Sequence, residues 1–71
     1  MPKRYSSKNV IKRLEKMVFF IMSQKGSHLK MKNEKTGKTT IVPVDVKILP
    51  QGTFLGILRL GGITKELFEE K

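Results

Sequence analysis

The stretch from Ser27 to Asn33 alternates: Leu29 and Met31 point one way, while His28, Lys30 and Lys32 point the other. Alternation of this kind reads as an extended strand with one face against apolar side chains and the other in water. Turn-forming residues stand on both sides of it. Gln24-Lys25-Gly26-Ser27 comes before, and Asn33-Glu34-Lys35-Thr36-Gly37-Lys38 comes after, with Gly37 available for positive φ. Phe19-Phe20-Ile21-Met22 is aromatic and β-branched enough for a strand ahead of the first turn. Thr39 to Val44 supplies another after the second turn, with Pro43 marking a sheet edge or strand end. Consecutive hairpins then give a three-stranded antiparallel sheet.

The segments flanking the sheet carry a helical period instead. Ser7 is an N-cap candidate, and the ten residues after it place Val10, Ile11, Leu14 and Met17 on one side, and Lys8, Lys12, Arg13 and Lys16 on the other. Asp45 to Gln51, with Pro50, reads as a connection. A second helix is predicted from about Gly52 to Leu60, with Phe54, Ile57, Leu58 and Gly61 on one stripe and Gly61-Gly62 as its stop. Thr64 can cap a short last helix that docks Leu67 or Phe68. The expected architecture is α+β, in the order α-β-β-β-α, a three-stranded antiparallel sheet covered on one face by two helices. No repeat or linker divides the chain, so residues 1–71 read as one domain. Leu29 and Met31 belong to the covered face, which puts His28, Lys30 and Lys32 on the open one. Phe19 and Phe20 cannot both point inward. One of them is either a stacking surface for a base or a residue partly covered by the first helix.

Charge narrows the function. There are 15 Lys+Arg against 6 Asp+Glu, a net charge of +9. Residues 1–33 carry nine of those cations against Glu15 alone, giving +8, while Glu66, Glu69 and Glu70 cluster at the other end. So uneven a basic surface favours a polyanion, nucleic acid before membrane. The absence of cysteine excludes disulfides and thiol chemistry and fits a reducing cytoplasm. The longest apolar stretch, Met17 to Met22, is too short to span a bilayer, and no signal-peptide pattern precedes it. A single histidine without clustered carboxylate or thiol partners makes a poor metal site, so neither metal nor cofactor is expected.

Gln24-Lys25-Gly26-Ser27-His28, then Val42-Pro43-Val44, then Gly52-Thr53 opening a helix and Gly62-Ile63-Thr64 closing it, occur in an order that resembles the HicA toxin family. The similarity runs from about Ser7 to Phe68, and the Gln-Lys-Gly-Ser-His run is its most specific element. The resemblance implies a double-stranded-RNA-binding-domain-like fold, ribosome-independent cleavage of mRNA, and a HicB-type antitoxin that masks the toxin. The family's catalytic histidine, at the end of Gly-Ser-His, falls on His28. Three positions depart from the pattern. Ser23 stands where Arg is common, Asp45 where a second His is frequent, and Leu55 where a basic residue is usual.

The chemistry is consistent with that implication. RNA carries its own nucleophile, the 2′-hydroxyl, and needs a base for its proton and cations for the phosphorane. An imidazole, with an ordinary pKa of about 6.5, suits the first role. Lys25 and Lys30 suit the second, with Gly26 and Ser27 in the turn beside them and Lys32, Lys12 and Lys16 as phosphate contacts. The general acid has no owner in the sequence. Asp45 is either that acid or a turn residue at a strand end. Single-stranded mRNA is the expected substrate, because an A-form duplex holds the 2′-hydroxyl away from in-line attack. Leu55 and Leu60 lie off the core stripe, where they are part of an antitoxin or self-association surface or simply isolated exposed leucines. Two other readings stay open: a non-catalytic RNA-binding module of the same fold, and an inactive toxin homologue retained for antitoxin binding.

Overall fold

The computed structural model describes residues 4–70. Its elements follow the order α1 (Ser7–Lys16), β1 (Phe19–Lys25), β2 (His28–Asn33), β3 (Thr39–Pro43), α2 (Gln51–Gly61) and α3 (Lys65–Glu70). The strands form one antiparallel sheet in the order β1-β2-β3. The α+β arrangement expected from the sequence is therefore present, and it is consistent with a double-stranded-RNA-binding-domain-like fold.

α1 begins one residue earlier than its expected cap implies. Ser6, in an extended conformation (φ −88°, ψ 167°), is the N-cap. Its Oγ accepts from the Asn9 amide at 3.1 Å, and Asn9 Oδ1 accepts from the Ser6 amide at 3.3 Å, a reciprocal capping box. Ser7 has another task. It is buried, donates from Oγ to the Pro43 carbonyl, and accepts from the Val46 amide at 3.1 Å. Its own amide donates to the Val46 carbonyl at 2.9 Å. So the start of α1 is tied to the chain leaving β3, and every polar atom of a buried serine is used.

The core face takes Val10 and Leu14 from α1, Phe19 from β1, Leu29 and Met31 from β2, Val42 from β3, and Phe54, Ile57 and Leu58 from α2. Thr40, also buried, donates from Oγ1 to the Ile57 carbonyl at 2.7 Å and fixes α2 against β3. At the open end of this layer, Tyr5 stacks on Phe54 with ring centroids 4.9 Å apart. Phe68 of α3 meets both rings edge-on, at 5.1 and 5.2 Å. Of the two docking candidates in α3, Phe68 is buried and Leu67 is exposed. Thr64 Oγ1 accepts from the Leu67 amide at 3.1 Å, as its expected capping role requires.

Arg13 departs from its expected place on a solvated basic face. Its Nη1 donates to the Phe68 carbonyl at 3.1 Å, and its guanidinium lies 5.5 Å from both the Tyr5 and Phe68 ring centroids. It is committed to holding α3 on α1. α2 ends on Gly62 in the left-handed region (φ 70°), with Ile63 N–H bonding back to the Leu58 carbonyl at 2.9 Å.

β1 is longer than its apolar residues indicate. Gln24 and Lys25, expected in a turn, are still paired, opposite Leu29 and His28. The turn itself is only Gly26-Ser27, with Gly26 at φ 59°, as a two-residue hairpin with glycine first requires. One residue of β1 has no partner. Pairing runs from Ile21↔Met31 directly to Ser23↔Lys30, leaving Met22 as a bulge.

Candidate active site

The pairings assign every open-face side chain. Residues directly opposite in an antiparallel sheet share a face. The open face is therefore three rungs: Phe20–Lys32–Thr39, Ser23–Lys30–Ile41, and Lys25–His28–Pro43. The bulge decides its composition. Simple alternation from Phe20 would bring Met22 and Gln24 to this face. The unpaired Met22 shifts the count by one, so Ser23 and Lys25 come there instead.

His28 opens β2, next to the turn, and directly faces Lys25. Ser23, Lys25, His28, Lys30 and Ile41 together line a shallow depression of about 380 Å³. All three side chains that the sequence assigns to the chemistry, His28, Lys25 and Lys30, lie in it. Ser27 stands beside it in the turn, and its carbonyl accepts from the Val44 amide at 2.8 Å, which ties the turn to the chain after β3. A Cβ placed on Gly26 would meet nothing within 4 Å, so this glycine answers to its positive φ rather than to crowding. Lys32 sits on the same face, two rungs from His28, with Phe20 and Thr39 as its cross-strand partners.

Lys12 and Lys16 are not part of this assembly. They project from the side of α1 opposite Val10 and Leu14, and α1 covers the other face of the sheet. The sheet therefore lies between them and His28. Asp45 is also elsewhere. It sits past the end of β3 at φ 60° and lines a separate hollow with Ser6, Ser7 and Lys8. That is the setting of a turn residue. No carboxylate lines the His28 depression. Among the described residues, no group of three or more His, Cys, Asp or Glu side chains comes together as a metal site would need.

Two residues of the depression were not singled out for it by sequence reasoning. Ile41 could have been found by alternation along β3. Ser23 appeared only as a departure from a family pattern, because nothing in the sequence announces the bulge that turns it toward Lys30. Phe20 is on the open face, which rules out cover by α1.

A family model described as the HicA toxin of bacterial toxin–antitoxin systems matches residues 7–63. This chain belongs to the HicA toxin family. The match spans α1 through the end of α2 and so includes the whole sheet and the His28 depression. No curated protein matches the chain. As a HicA toxin it is the toxic half of a toxin–antitoxin pair and has a cognate antitoxin as partner. No helix among the described residues is long and apolar enough to cross a membrane.

Proposed function

We propose that this HicA toxin acts as an endoribonuclease, cutting single-stranded mRNA on the open sheet face with His28 as general base. The observation that carries the reading is the company His28 keeps: a lysine directly across the sheet, a second lysine on the next rung, and no carboxylate in the depression. A phosphodiester seated between Lys25 and Lys30 would bring its 2′-hydroxyl to the imidazole. His28 takes that proton as the 2′-oxygen bonds to phosphorus. The P–O5′ bond breaks, and the departing 5′-oxygen takes a proton from water, which reaches the open depression freely. The products are a 2′,3′-cyclic phosphate and a 5′-hydroxyl. Lys25 and Lys30 offset the charge that builds on the phosphorane. None of these steps needs a metal or cofactor. Residues Lys32, Gly26 and Ser27 extend the RNA contact along the face and into the turn. The substrate and the reducing composition of the chain both fit a cytoplasmic site of action.

The reading is tested with purified, EDTA-treated toxin and an unstructured RNA. Wild-type toxin should give fragments ending in 2′,3′-cyclic phosphate. His28→Ala should lower the rate by about 10²–10⁴-fold, the usual contribution of a positioned acid–base group, and should relieve growth arrest while keeping the wild-type circular dichroism. Equal cleavage by wild-type and His28→Ala toxin would end the assignment.

A further inference from the structure

We propose that Phe20 is the base-stacking residue of this face, gripping one unpaired nucleotide of the RNA at a fixed distance from the cut. The inference rests on the RNA-cleavage reading of the same face and adds to it a specificity element.

Phe19 spends its ring on the core, and strand alternation then sends Phe20 to the side where no helix can reach it. Phe20 is left 45% exposed and Ile41, on the next rung, 42%. A lone exposed apolar residue means little. These two lie on adjacent rungs of one face, and each rung also carries a lysine, Lys32 beside Phe20 and Lys30 beside Ile41. An aromatic face next to a cation is the pairing that single-strand binders use, one group stacking the base and the other holding the phosphate. Stacking requires a base free of its helix, so Phe20 also selects for single strands over duplex. An antitoxin could cover the same surface. The face has a lysine on each of its three rungs and no carboxylate on any of them, a repeat that fits a chain of regularly spaced phosphates.

The sheet sets the spacing. Along β2, Lys32 lies four residues from His28, roughly 13 Å at strand rise. A single strand with its bases at about 3.4 Å, the spacing along one strand of DNA, covers that in about four nucleotides, and an extended one in fewer. Phe20 therefore reads a base near the scissile phosphate and helps to fix which phosphate meets His28.

The test uses full-length toxin carrying Phe20→Leu, Phe20→Ala or Phe20→Tyr, each checked for fold by circular dichroism. Binding is measured with single-stranded 2′-O-methyl RNA, which has no free 2′-hydroxyl to attack, and cleavage with ordinary RNA. Leu and Ala should weaken binding and raise KM by about 5- to 150-fold with a much smaller effect on kcat, and Tyr should restore both. In a series of oligonucleotides with one abasic position each, wild-type toxin should lose affinity mainly at one position, and Phe20→Leu should be indifferent there. Phe20→Leu toxin that binds RNA as wild type would overturn the proposal. So would an abasic profile unchanged by the variant, or a defect seen only toward the antitoxin. Wild-type toxin that binds but never cleaves would instead sink the nuclease reading, and the abasic series would still decide the role of Phe20.

Discussion

The fold alters the titration of Tyr5. Burial pushes its phenol above the ordinary value of 10.0; the Glu69 carboxylate, which accepts its proton at 3.4 Å, adds to the rise, and Arg13 opposes it. The fold therefore favours the neutral phenol. Its contribution to stability is complete below the ordinary value and is lost as pH climbs through the raised one. The chain has one tyrosine and no tryptophan, so tyrosinate absorbance reports Tyr5 alone. That titration should fall above the free phenol, and Tyr5→Phe should flatten the alkaline loss of stability; a titration at or below the free value would contradict both. Val18 is the second residue under constraint. It sits at φ 63° between α1 and β1, a left-handed conformation that suits glycine and penalises a β-branched side chain. Val18→Gly should raise stability by about 1 kcal/mol in denaturant unfolding, since the half-exposed isopropyl group loses little packing. Alternation around Leu29 and Met31 is a local pattern, and it made the open-face position of His28, Lys30 and Lys32 legible. Val18 carries no such sign, whereas Asp45 already reads as a turn residue at a strand end. Their left-handed backbones are imposed by where the neighbouring elements must start.

At the scale of elements, legibility tracked how local the cause was. The α2 stripe of Phe54, Ile57, Leu58 and Gly61 is buried as its period predicts, because one helix face meets one sheet face. The cap of α1 was misassigned by one residue. Both Ser6 and Ser7 can cap, and only the packing of Pro43 and Val46 over Ser7 decides between them. The length of β1 was the larger miss. Ser23, Gln24 and Lys25 have no apolar pattern, and they are strand only because β2 is there to pair with them. The bulge explains why their faces were unreadable, and it also makes a prediction. Deleting Met22 should leave Ile21 opposite Met31 and Ser23 opposite Lys30, so the variant should fold, keep its rungs and retain wild-type RNA cleavage. Cross-strand contacts observed by NMR would reveal a slipped register if this is wrong.

For the molecule as a whole, the two sides of the sheet divide its positive charge. Lys25, Lys30 and Lys32 line the open face, while Lys12 and Lys16 stand on the far side of a body whose Cα trace is 17 Å through its shortest axis. A short strand on the open face touches only the first set. Its affinity should therefore fall with salt at a log–log slope of about −2, three contacts at about 0.7 each. Lys32→Ala should reduce that slope, whereas replacing Lys12 and Lys16 together should leave it unchanged and slow only the association rate at low salt. A slope that responds to Lys12 and Lys16 as strongly as to Lys32 would mean that the RNA wraps the molecule.

A sheet with β2 in the middle has two bare rims, and bare rims attract other strands. Here each rim is spoiled. Pro43 lacks an amide proton at the end of β3, and the Met22 bulge interrupts β1 where its apolar residues Ile21 and Met22 are exposed. The same irregular residue that turns Ser23 and Lys25 toward the open face thus also makes β1 a poor template for a second copy. The Met22 deletion should separate these two roles, giving a toxin that still cuts but is prone to stick to itself.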